Sequence, residues 1–145
     1  MCGIFGYVGE ERSVPLTVGP ALKSLEYRGY DSWGIVWRKA DRLETVKKIG
    51  RVPGSFAFDA ISRIAVGHTR WATHGGVTDA NAHPHLDSTG RVAIVHNGIV
   101  ENASELRSRL PAGTVFASDT DSEIIAHLLG ERVSAGATIV EALRA

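Results

Sequence analysis

The chain has little cysteine and little methionine, and no excess charge of either sign. One cysteine and one methionine occur in 145 residues. A lone Cys2 cannot close an internal disulfide, so a disulfide scaffold is excluded and a reducing compartment is expected. Sixteen basic residues balance sixteen acidic ones, which leaves no bulk electrostatic pull toward nucleic acid or an anionic membrane surface. No uncharged apolar run approaches the roughly 18 residues a membrane helix needs. The first residues carry no basic stretch followed by an apolar one, so no signal peptide is expected. Repeats and low-complexity tracts are missing too. A soluble, cytoplasmic, single-domain chain is expected, one that buries roughly 70% of its extended surface on folding.

The periodicity predicts a mixed layered fold. Ile4 to Val8 is a short apolar run suited to a buried strand. Ser13 is placed to cap a helix reaching about Leu25, with Pro15 in its first turn. Pro20 cannot donate to the carbonyl of Leu16, so a kink or break is expected there, and Gly29 ends the segment. Ser32 to Arg38 and Arg42 to Lys48 read as strands joined tightly through Lys39-Ala40-Asp41. A short helix starting at Ser55 and a strand over Ile64 to Thr69 follow. Arg70 to Gly90 lacks any sustained period and reads as a long loop, a type usually functional or disordered in compact domains. Val92 to His96 reads as a strand buried on both faces. Asn102-Glu105, Thr120-Glu123 and Thr138-Glu141 each show a capping-box pattern opening a helix. In the second of these, Ile124, Ile125, Leu128 and Leu129 form one apolar stripe. A helix halted at Ala145, with few strands left to cover the sheet, suggests a domain that continues past this chain.

Four stretches could carry chemistry. Methionine ahead of a small residue is commonly removed, which would leave Cys2 with a free α-amine. Such an amine has a reference pKa near 7.7–8.0 and can act as the base for its own thiol. In "GHTRWATHGG", Gly67 to Gly76, an arginine at a strand end beside hydroxyls and an imidazole suits two-pronged binding of a carboxylate. In "HNG", His96 to Gly98, the side-chain amide of Asn97 and a backbone N–H could converge on one oxygen. In "SDTDSE", Ser118 to Glu123, Asp121 could bind a substrate ammonium group. Each has a plainer alternative: a thiol on a frayed terminus, an ion-paired loop arginine, an Asn-Gly turn, and a capped helix start.

Five of the six histidines fall between positions 68 and 96, which raises a zinc hydrolase or metal module as a rival. The spacing argues against it. There is no H-x3-H or HExxH, and His83-Pro84-His85 alone chelates poorly. "DTDSE" also lacks the glycine of a calcium loop, since Ile124 stands at the sixth position from Asp119. No metal and no cofactor is expected.

Taken in order, "MCGIFGYVG", "LEYRGYDSWG", "GHTRWATHGG", "NAHPH", "HNGIVEN" and "SDTDSE" span Met1 to Glu123. Together they resemble the glutaminase domains of class II glutamine amidotransferases, in the branch of the glutamine–fructose-6-phosphate aminotransferases. The amidophosphoribosyltransferase branch would carry RGQ and HxRYST stretches where this chain reads Arg28-Gly29-Tyr30 and Thr69-Arg70-Trp71.

The resemblance implies an α+β N-terminal-nucleophile hydrolase fold, an αββα four-layer sandwich incomplete at the C-terminal end, with residues 1–145 as the N-terminal portion of the glutaminase domain. It implies Cys2 as nucleophile and Asn97 and Gly98 as the oxyanion hole. Arg70 would hold the glutamine α-carboxylate, with Thr73 and His74 in the same pocket and Asp121 on the α-amino group. Trp71 and Arg28 would stand near the closing loop and the nucleophile. The reaction implied is hydrolysis of L-glutamine through a γ-glutamyl thioester. A synthase domain, absent from this chain, would pass the ammonia to fructose 6-phosphate in glucosamine 6-phosphate synthesis, within a homo-oligomer. Two alternatives stay open: a non-catalytic glutamine-binding regulatory module, and the glutaminase part of another class II amidotransferase. Trp33, where the family has a small residue, and Pro20, in a helix it leaves unbroken, are the departures.

Overall fold

A computed structural model describes residues 1–72 and 75–144 of the chain. Strand β1 covers Gly3–Ser13 and runs well past the apolar run that announces it. Its charged second half, Glu10 to Arg12, lies at a sheet edge, and the pairing slips register between Val8 and Arg12. Helix α1, Val14–Leu25, continues through Pro20 without a break. The hydrogen bond that Pro20 cannot make is offset by burial of Val14, Val18 and Leu22, spaced four apart on one face. Ser13 makes no side-chain cap bond; the freed amide of Val14 donates to the Ala60 carbonyl at 2.8 Å instead. A 3-10 turn over Glu26–Arg28 leads into Gly29.

Strands β2 (Ser32–Lys39) and β3 (Arg42–Ile49) form a hairpin across Ala40-Asp41, where Ala40 takes φ 52. Strand β4 covers Ile61–Arg70. The four strands make one antiparallel sheet in the order β1-β4-β2-β3. A second sheet has only two strands, β5 (His85–Leu86) and β6 (Ala93–Ile94). Helices α2 (Ala103–Arg109), α3 (Ser122–Ser134) and α4 (Ile139–Arg144) follow. The layers run α1, large sheet, small sheet, then α3 with α4 beside it. The expected α+β four-layer arrangement is therefore present. No helix among the described residues is long and apolar enough to cross a membrane.

Alternation along the strands divides the large sheet into two unlike faces. Trp33, Ile35, Trp37 and Ala65 point toward α1 and pack with Val18 and Leu22. Trp33 fills space rather than displacing a neighbour. It is 5% exposed and meets Phe56 edge-on at 5.2 Å. Phe56 in turn lies over Gly19, where a Cβ would overlap its ring. The two departures, an indole at 33 and a helix carrying Gly19-Pro20, thus meet at one phenylalanine.

Several expectations need correction. Residues 51–60 contain no helix, so Ser55 starts none. The long loop is interrupted by β5, and the strand expected over Val92 to His96 shrinks to Ala93–Ile94, half-buried. Helix α3 begins at Ser122 with Asp121 as N-cap. Its Glu123 does not complete a box with Thr120, and instead accepts the amides of Ala117 and Ser118 at 2.7 Å each. Asn102 also makes no side-chain cap bond. Only Thr138 and Glu141 form the reciprocal box, with bonds of 2.8 and 3.3 Å.

Candidate active site

The same alternation that sends Gly67 against Val18 and Leu22 sends His68 and Arg70 to the opposite face of β4. Beyond Arg70 the chain meets both the start of β1 and the turn after α1. Gly29 makes this closeness possible. A Cβ there would stand 2.6 Å from the Arg70 carbonyl carbon and 2.7 Å from the Trp71 nitrogen. Gly3 is equally confined, since its Cβ would come within 2.7 Å of Leu25. The two glycines bring Arg28, Cys2 and Trp71 together. Arg28 Nε donates to the Cys2 carbonyl at 3.2 Å, and the Trp71 amide donates to Cys2 Sγ at 3.3 Å.

A cavity of about 340 Å³ opens beside the thiol. Cys2, Arg28, Arg70, Trp71, Asn97, Gly98 and Asp121 all line it. Thr73 and His74 lie outside the described residues. Asn97 Nδ2 donates to the Cys2 carbonyl at 3.1 Å, and its Oδ1 lies 2.8 Å from His68 Nε2. At Gly98 a Cβ would come within 2.6 Å of His96 Nε2, so a side chain there would collide with the cavity wall.

Arg70 is 4% exposed and donates to the Gly76 carbonyl at 3.2 Å. Burial lowers its pKa from the ordinary value, against the opposing influence of Cys2, Asp31 and Asp121. An arginine stays cationic through such a shift. Asp121 is fixed by the Val100 amide at 2.6 Å and by the Ser122 hydroxyl at 3.3 Å. The cavity therefore holds a guanidinium and a carboxylate, as an amino-acid zwitterion requires, with the Cys2 thiol and the Asn97 amide lining the same space.

Beneath the site, His68 and His83 stack at 4.4 Å and His85 meets His83 edge-on at 4.4 Å. Burial pulls His68 down to about 4, with Asn97, Arg70 and His96 as smaller influences. It pulls His85 down to about 3, helped by Lys47 and Arg70, and lowers His83 as well. These rings are neutral near neutral pH. Among the described residues, no group of three His, Cys, Asp or Glu is arranged to hold a metal.

Sequence reasoning missed His68, His83, His96, Thr120 and Ser122. Four of these line the cavity, and His68 touches Asn97. The signal for His68 was present, because it stands two residues before Arg70 on a strand and so shares its face. Nothing local marks the others. His96 Nδ1 finds Ser122 Oγ at 3.1 Å across 26 positions.

Comparison with known proteins shows the family. Residues 41–144 match the glutamine amidotransferase domain family. The chain is 49% identical over 150 residues to the glutamine–fructose-6-phosphate aminotransferase (isomerizing) of Streptomyces coelicolor, covering 99% of this chain and 24% of that protein. The protein of the same name from Thermococcus kodakarensis is 46% identical over 149 residues, covering 99% and 25%. Among solved structures, the glutamine phosphoribosylpyrophosphate amidotransferase from B. subtilis superposes with a TM-score of 0.76 at 28% identity, covering 98% of this chain and 31% of that one. The chain spans about a quarter of the length of the curated relatives it matches.

Proposed function

Because the chain belongs to the glutamine amidotransferase domain family, we propose that it hydrolyses the side-chain amide of L-glutamine at Cys2. The observation that carries this reading is the convergence of Cys2, Asn97, Arg70 and Asp121 on one cavity. Arg70 and Asp121 would take the α-carboxylate and α-ammonium groups. The amide carbon then lies toward Cys2.

Removal of Met1, which is 78% exposed, would free the Cys2 α-amine. The amine takes the thiol proton as sulfur attacks the amide carbon, and the carbonyl electron pair moves onto oxygen. Asn97 Nδ2 and the Gly98 amide would hold that oxyanion. When the adduct collapses, the C–N bond breaks, the ammonium proton goes to the leaving nitrogen, and ammonia departs from a γ-glutamyl thioester. Water, deprotonated by the same amine, attacks the thioester and restores the thiol with glutamate as product. The relatives' name supports fructose 6-phosphate as the acceptor of the ammonia, and our reading extends this to hexosamine synthesis in the cytoplasm. That transfer would fall to a synthase domain, since this chain spans about a quarter of the relatives' length.

The test pairs intact mass with glutamate release. The mature chain should lack Met1, and Cys2→Ala should release no glutamate, while Cys2→Ser leaves at most a trace. Glutamine binding with Met1 retained and no turnover would point to a non-catalytic sensor instead.

A further inference from the structure

Asn97 sits in irregular backbone just beyond β6, yet oxyanion binding requires its amide to be aimed within a few tenths of an ångström. Its loop supplies no regular ladder to aim it. Both hydrogen bonds of its side chain reach instead toward the large sheet, one to the Cys2 carbonyl just ahead of β1 and one to His68 Nε2 on β4. The Cys2 carbonyl only accepts, so it must face the NH2 end of the amide. Oδ1 is then turned to His68, and because an amide oxygen only accepts, Nε2 must carry the ring proton.

His68 is well built for that duty. It is fully buried on β4, paired with Ile4 on one side and Gly34 on the other. Its ring is held flat against His83 at 19° between planes. With Oδ1 anchored and one Nδ2 proton on the Cys2 carbonyl, the second Nδ2 proton is left directed to the cavity. We propose that His68 is a positioning residue that fixes the Asn97 amide, through Nε2–H to Oδ1, in the orientation that binds the developing oxyanion. Donation into Oδ1 also polarises the amide and strengthens its N–H as a donor. This inference rests on the glutaminase reading above.

The experiment is steady-state glutamate release by the full chain and its variants, with thermal unfolding recorded for each. His68→Leu should lower kcat about tenfold or more, bounded by the roughly 10²–10³-fold loss of the donor itself, and leave KM nearly unchanged. In an Asn97→Ala background the same change should cost no more than about twofold, because the group it acts through is gone. His68→Gln, whose amide nitrogen falls where Nε2 was, should recover most of kcat, whereas His68→Asn, which mimics Nδ1, should not. This pair decides the matter if His68→Leu does not fold. Independent, multiplying losses in the double variant would overturn the proposal, as would equal activity of the Gln and Asn variants or a change in KM alone. Failure of the underlying reading would show separately, as activity surviving Cys2→Ala.

Discussion

The two faces of the large sheet are built from the same strands by opposite rules. Toward α1, Leu22, Ile35, Trp37 and Ala65 interlock with Trp33 and Phe56, and apolar volume holds the layer. Toward the small sheet, His68, Arg70, His83, His85, Asp121 and Glu123 are held by specific donors and acceptors. The first face accommodates the Trp33 indole, because volume can be redistributed among neighbours. The second tolerates little, because each buried polar group there depends on a named partner. Stability and chemistry are thus laid on opposite sides of one set of strands.

Breaking the polar face should change turnover or binding without unfolding the chain. Asn97→Ala should lower kcat by roughly 10²–10³-fold with KM little moved. Arg70→Lys should mainly raise the glutamine concentration required, by roughly 10- to 100-fold, since lysine cannot reproduce a planar two-pronged clamp. Steady-state kinetics on the pair separates the two roles, and an Arg70→Lys variant altered only in kcat would remove Arg70 from the carboxylate. Breaking the apolar face should do the reverse. Leu22→Ala removes a fully buried side chain and should cost about 2–5 kcal/mol of unfolding free energy. Denaturant titration checks the loss, and KM measured at low temperature should stay put.

The smallest expected effect sharpens the contrast through pH. His68 and His85 are held at about 4 and about 3, below their ordinary 6.5, chiefly by burial. In the unfolded chain they take up protons near 6.5 and in the folded chain they resist until far lower. The unfolded state therefore binds more protons in that window, and stability falls as pH drops from about 6.5 toward 4. Melting temperatures at neutral pH and near pH 5 should differ in that direction. Carrying the Leu22→Ala change should leave the slope unaltered, because Leu22 packs in an apolar cluster on the side of the sheet away from the histidines.

What was legible in the sequence follows the same division. Helix α1 was readable from Ser13 and Pro15 at its start, although Ser13 makes no side-chain cap bond, and burial of Val14, Val18 and Leu22 outweighs the local signal of Pro20. The positions from Cys2 to Asp121 that line one cavity could be singled out because they sit in short distinctive stretches. The second half of β1 was not, since Glu10, Glu11 and Arg12 look like surface loop, and the strand resumes its pairing only at Arg12 with Ser62 and Ser13 with Ile61. Glu123 gave a capping signal that its contact with Ala117 and Ser118 overrides. The partnership of His68 with Asn97 spans 29 positions and leaves no periodic trace. Local spacing reveals which face a residue takes, and only the fold reveals what it meets there.

Trp33 and Gly34 put this asymmetry into two adjacent residues. The indole projects one way into the layer beneath α1, while on the other side a Cβ at position 34 would overlap the His83 carbonyl oxygen. The strand acts as a spacer with one thick side and one thin side. His83 belongs to the cavity wall, so the close approach at Gly34 fixes where that stretch of floor lies against the strand. Variation at 33 can be absorbed sideways by Phe56. Variation at 34 has only one direction to go, and a single methyl group there would lift the floor itself.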